Sequence, residues 1–166
     1  MPELSQQERL QLSLLDRLTD DEPSQRTESR EKRVISVSRL RQLVQRDMTW
    51  LLNTTSASST IDLDEFPEVA SSSVNFGIKD LTGYSGAMFN PKQIEKELTK
   101  CIKNYEPRII ASSVRVKVKV NEEEMNSNNV VFEITGDLWA QPVPLQLFLK
   151  TEIDLEEGSV YLSQWN

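Results

Sequence analysis

The sequence predicts an α+β fold, helices first and an antiparallel β-meander after them. Three observations predict it. Apolar residues recur with the 3.6-residue period over residues 37–52 and again over 94–105. From residue 114 the period drops to two, as in Val114-Arg115-Val116-Lys117-Val118-Lys119-Val120, the pattern of a half-buried strand. The helical segments precede the strands rather than alternating with them, which is the α+β order.

In chain order, residues 4–18 carry Leu10, Leu14, Leu15 and Leu18 on one helical stripe, stopped by Thr19-Asp20-Asp21-Glu22-Pro23. The Ser, Gln, Arg and Glu tract that follows, to about Arg33, is too polar to pack and reads as a linker. So short a helix is marginal alone in water, where about 12–15 residues mark the threshold. Its leucines are therefore expected to enter a partner's groove; folding back on their own domain is the alternative. The expected division is a partner-binding helix with linker (1–33) and an α+β domain (34–166).

Ser36 suits the N-cap of the next helix, with Val37, Leu40, Val44, Met48, Leu51 and Leu52 buried and Arg39, Arg41, Gln42 and Gln45 wet. A long loop starts at Asn53. Within it residues 67–76 are expected to give one short extended piece, and Gly77, Gly83 and Gly86 to mark turns. Asn90-Pro91 offers an N-cap and a first-turn proline to a third helix, which buries Ile94, Leu98, Cys101, Ile102 and Tyr105. Strands follow at 114–120 and 130–138, around an acidic, Asn-rich turn. Beyond Pro142-Val143-Pro144 a third strand points Leu145, Leu147, Leu149, Ile153 and Leu155 inward. Glu156-Glu157-Gly158-Ser159 turns the chain into a last strand, 160–165. Arg115, Lys117 and Lys119 share the wet face of the first strand, where Glu133 can meet them.

Composition excludes several functions. Hydrophobic residues are 37% and charged residues 27%, those of a polar-surfaced protein with one core. No apolar run reaches the roughly 18 residues of a membrane span, and the polar, acidic Met1-to-Glu8 start is no secretory signal. With a lone Cys101, a cytoplasmic location is expected. The net charge of −7 is uneven: residues 121–166 hold nine acids and one base, Lys150. So acidic a C-terminal part argues against nucleic acid. Without histidine, a zinc site or Ser/His/Asp triad in its usual form is excluded, and five scattered glycines cradle no phosphate. No cofactor or metal is expected.

Tyr105-Glu106-Pro107-Arg108 is the seam between helix and sheet. Pro107 lacks an N–H and biases Glu106 away from helical dihedrals, so the helix should end near Tyr105. An acid and a base held on a stiff junction form either a structural clasp or a docking point. As an exposed pair they would contribute only about 0–1 kcal/mol to folding.

Four stretches carry a family resemblance. They are Ser13-Leu14-Leu15-Asp16-Arg17-Leu18-Thr19-Asp20, Arg46-Asp47-Met48-Thr49-Trp50-Leu51-Leu52-Asn53, Val74-Asn75-Phe76-Gly77-Ile78-Lys79-Asp80-Leu81 and Tyr105-Glu106-Pro107-Arg108-Ile109. In this order they resemble TssE, the baseplate wedge subunit of bacterial type VI secretion systems, related to a small wedge protein of contractile phage tails. Phe76 and Met48 depart from the pattern, which favours Tyr and Leu there. The resemblance implies a fold similar to the strand-exchange domain of contractile sheath subunits. It also implies a wedge with TssF, TssG and TssK, and a sheet on which the first sheath subunits, TssB and TssC, assemble. Glu106, Pro107 and Arg108 are then the docking signature, and Leu14, Leu15, Arg17 and Leu18 the partner-binding helix.

The related family's name includes "lysozyme-like", so a hydrolase is the rival reading. A glycosidase needs two carboxylates roughly 5–10 Å apart, one with a raised pKa. Glu106 with Glu95 or Glu97 would be the pair. Arg108 beside Glu106 would hold that carboxylate ionised, the opposite of a general acid. The expectation is a non-enzyme. The last strand, with Val160, Tyr161 and Leu162 free of charge and proline, is expected to be an uncovered edge suited to β-augmentation.

Overall fold

The computed structural model describes residues 12–19, 23–24, 36–82, 90–119, 129–139 and 144–164. Residues 4–11 of the expected 4–18 helix, the linker core, Gly83, Gly86, the 121–128 turn and Trp165 lie outside the described residues.

α1 spans Leu14–Leu18 and α2 Val37–Leu52. Ser36 Oγ accepts the Arg39 N–H at 3.1 Å and so starts α2, which buries Leu40, Leu43, Val44, Met48, Leu51 and Leu52. α3, Pro67–Ser71, and a 3₁₀ turn at Ser73–Asn75 occupy the stretch expected to be extended. That expectation was wrong for a local reason. Pro67 sits in the first turn of α3, where its missing N–H costs nothing, and Ser72 Oγ then accepts the Val74 N–H at 3.3 Å to begin the next turn. Elements this short carry no legible period. α4, Pro91–Tyr105, starts at Asn90 and ends with Glu106 as its C-cap, one residue before Pro107.

The sheet is β1 (Arg115–Lys119), β2 (Asn129–Leu138), β3 (Leu145–Asp154) and β4 (Val160–Gln164), antiparallel and in sequence order. α4 lies against β1 and α2 against β4. One sheet face thus meets the helices through Val116, Ile134 and Leu149 in one row and Phe132 and Thr151 in the next. Among the described residues the other face exposes Arg115, Lys117, Phe148 and Lys150. There Lys117 opposes Glu133, and the Glu133 carboxylate lies 3.1 Å from Lys119 Nζ, as the alternation of charges implied.

Two glycines permit close approach. Gly77 has φ +124, and a Cβ there would lie 2.2 Å from Thr54 O. It lets Thr54 O accept the Ile78 N–H, and Ile78 O the Ser56 N–H, both at 2.8 Å. At Gly136 a Cβ would meet Ile109 Cγ2 at 2.7 Å. The free space there lets Arg108–Ile110 lie along the end of β2, with Trp139 N–H bonding Arg108 O at 2.7 Å and Ile110 N–H bonding Asp137 O at 2.8 Å.

Candidate docking site

The junction after α4 is built by its own local chemistry. Glu106 N–H closes the last turn on Ile102 O at 2.9 Å; Pro107 then stops the helix, and β2 pins the Arg108 backbone. Arg108 therefore folds back on Glu106. Its Nε donates to Glu106 Oε1 at 2.7 Å and its Nη2 to Oε2 at 2.6 Å, a bidentate pair. Both residues are buried, at 3% and 6% exposure. The pair is not exposed, so the small folding contribution expected of it is corrected. Chain reversal at Pro107 turns both side chains inward, while Pro107 itself stays exposed.

Distant residues complete the cluster. Arg108 Nη2 also donates to Asp47 Oδ2 at 2.6 Å. Arg46 clasps Asp47 Oδ1 through Nε at 2.8 Å and Nη2 at 2.6 Å, and reaches Asp16 Oδ1 of α1 at 2.7 Å. Asp16 Oδ2 stands 3.7 Å from Arg108 Nη1, a charge contact too long for a hydrogen bond. Among the described residues Nη1 has no hydrogen-bond partner. Three carboxylates thus surround two guanidiniums. Burial alone would lower the Arg108 pKa, but the bonds and charge of Glu106, then those of Asp47, outweigh it and raise the pKa. At Asp16 burial pushes the carboxyl up, yet the Ser13 bond and the bond and charge of Arg46 leave it below its ordinary value.

Beside the charges lies a largely apolar cavity of about 300 Å³, walled by Leu12, Leu15, Trp50, Phe76, Tyr105 and Pro107. Phe76 and Tyr105 meet edge to face, ring centroids 5.5 Å apart, and Arg46 lies over Trp50 at 4.8 Å. All four stretches quoted for the family resemblance therefore contribute to one corner. Ser13, the N-cap of α1, Asp16 and the 48% exposed Leu15 face this corner, while Leu14 and Leu18 are 70% and 74% exposed, with Arg17 also exposed.

The other predicted surface is elsewhere. β4 is an edge strand, with Tyr161 exposed, Leu162 half-buried and Val160 buried. It is not uncovered. Asn53 Nδ2 donates to Val160 O, Asn53 Oδ1 accepts the Val160 N–H, both at 2.9 Å, and Gln45 Nε2 donates to Leu162 O at 3.2 Å. The wet side of α2 faces this edge, which the helical period alone could not reveal. Asp16, Arg46 and Asp47 were visible only as letters of the resembling stretches, and nothing local marked them as partners of Arg108.

Residues 38–143 match the profile of the family described as baseplate wedge protein gp25, well over half of the chain. The chain belongs to the baseplate wedge protein gp25 family. Neither curated proteins nor solved structures give a match. The gp25 match runs from α2 past β2 and so holds both halves of the Asp47–Arg108 contact, with α1, β3 and β4 outside it. Membership makes the protein a structural part of a phage-tail-like baseplate, in contact with other baseplate components. Among the described residues no helix is long and apolar enough to cross a membrane.

Proposed function

We propose that this gp25-family protein is the wedge subunit of a bacterial type VI secretion baseplate, cytoplasmic, seated with TssF, TssG and TssK and initiating the TssB–TssC sheath. One observation carries the reading: the four TssE-like stretches build a single corner that holds α1 through Asp16 and Leu15 and leaves Leu14 and Leu18 bare. In this reading Glu106 and Arg108 act from inside, fixing α1 and Pro107, while Pro107, Leu14, Leu15, Arg17 and Leu18 meet the partner. The 1–33 segment is a tethered docking piece on the 34–166 domain. Val160, Tyr161 and Leu162 receive an extended sheath arm once the α2 side chains leave that edge.

Replacing Leu14 and Leu18 together by Asp tests it. Both are exposed, so the melting temperature should hold while co-purification with TssF and TssG is lost. Retained co-purification of the folded variant would refute the docking role of α1. The hydrolase reading draws no support from the site, because Arg108 engages both Glu106 oxygens. Purified protein should leave peptidoglycan intact at every pH; cleavage lost on Glu106→Gln would reverse that conclusion.

A further inference from the structure

Charges of opposite sign gather on two separate surfaces of this chain. On the sheet face turned from the helices, Lys117, Glu133 and Lys150 form one row across β1, β2 and β3, and Arg115, Thr135 and Phe148 the next. Lys119 engages Glu133, whereas Lys117 and Lys150 are exposed and have no ion pair among the described residues. Phe148 is exposed beside them, and Tyr161 is exposed at the β4 margin of the same face. The 61–69 segment is the counterpart. It interleaves Asp62, Asp64, Glu65 and Glu68 with exposed Ile61, Phe66 and Val69, and no base occurs between Arg46 and Lys79. Asp64, Glu65 and Glu68 are exposed without an ion pair among the described residues. Apolar side chains gathered on an exposed, charge-rimmed segment mark an interaction surface. Helix α4 stands between the two surfaces. It packs on β1, and it anchors the far end of this loop through Cys101 Sγ, which donates to Gly77 O at 3.2 Å, and the Tyr105 hydroxyl, 2.9 Å from Asn75 O. The two surfaces therefore cannot meet within one molecule.

We propose that they meet between molecules: a second copy of this chain lays its acidic 61–69 segment on the basic outer face of the sheet. The two surfaces match in both charge and apolar content. Lys117 and Lys150 receive the unpaired carboxylates, while Phe66 and Val69 cover Phe148. A nucleic acid is the poorer occupant of the sheet face, since Glu133 and Glu152 sit among its cations and the chain carries a net charge of −7. Because each copy uses a different surface, the contact is head to tail; it closes a ring or extends a filament according to the rotation between neighbours. No backbone has to open, for every residue named lies at the surface of the folded subunit.

Sedimentation equilibrium of the full-length chain tests this. Wild type should self-associate with a Kd at or below about 1 mM in about 0.1 M salt. In about 1 M salt, where the screening length falls from about 10 Å to about 3 Å, association should weaken about tenfold or more. Repulsion between the net charges is already screened at the lower salt, so the loss reports the contact itself. Two variants, Lys117→Glu/Lys150→Glu and Asp64→Lys/Glu65→Lys/Glu68→Lys, alter exposed side chains only. Each should keep its circular dichroism yet stay monomeric alone, because its two surfaces then carry the same sign. Mixed in equal amounts they should associate again, since each altered surface finds its complement on the other variant. Wild type monomeric at about 1 mM, association indifferent to salt, or a folded pair whose mixture stays monomeric would each overturn the proposal. If repulsion from Glu133 unfolds the sheet variant, Lys117→Gln/Lys150→Gln takes its place. It should associate more weakly than wild type alone and form a one-to-one dimer with the loop variant; failure of either overturns the proposal equally. Lost co-purification with TssF and TssG would count against the proposed function alone, because these measurements involve no other baseplate protein.

Discussion

Arg108→Ala should be among the most damaging single substitutions in this protein. It strips Glu106, 3% exposed, of both its charge-assisted bonds, and no other cation is bonded to that carboxylate among the described residues. Removing one partner of a buried ion pair costs about 3–5 kcal/mol, against about 0–1 for an exposed pair. For a protein of this size each kcal/mol moves the melting temperature by about 2–4 °C, so the expected fall is about 6–20 °C. Glu106→Ala should cost less, since Arg108 keeps Asp47 at 2.6 Å and Asp16 at 3.7 Å. The double Ala variant should lose less than the sum of the two, because the second change removes the orphaned charge. Arg108→Lys should fall between, keeping the charge but not the fork. Differential scanning calorimetry of the four variants decides the matter. A fall below about 2 °C for Arg108→Ala, or strict additivity, would refute the buried-clasp reasoning.

Further outcomes follow from other sites. The Asp16 carboxyl is depressed when α1 is docked, so its contribution is fully present above the ordinary Asp value, near 3.9, and lost as pH falls through the docked value; a fluorophore on α1 should report release only in acid, and release near neutrality would contradict this. Thr151 is fully buried with no partner for its hydroxyl among the described residues, so Thr151→Val should raise stability by about 1 kcal/mol in urea titration; a comparable loss would mean that the hydroxyl is bonded. Gly77→Ala forces φ +124 on a Cβ aimed 2.2 Å from Thr54 O and should cost about 1–3 kcal/mol or more, whereas a neutral result would show that the 54–56 strap moves freely.

The two long helices were legible because their signals are local. Ser36 caps α2 at Arg39 N–H, Asn90-Pro91 opens α4 and Pro107 closes it, all within four residues of the boundary they set. The meander was legible for the same reason, since alternation and short turns leave sequential strands to pair with one another. Even the Glu106–Arg108 contact is local, two residues long. What the sequence could not decide is its depth. The Asp47 carboxylate reaches Arg108 from 61 residues away, and Asn53 reaches Val160 from 107. Periodicity tells which face of a helix is wet or dry, but not which neighbour a wet residue meets. Gln45 reads as solvated and Asn53 as the start of a loop, yet both close a sheet edge; Glu106 and Arg108 read as an exposed pair and form the buried centre of the docking corner. Those outcomes depend on how two helices settle across one sheet, a non-local packing event, and only the tertiary structure decided them.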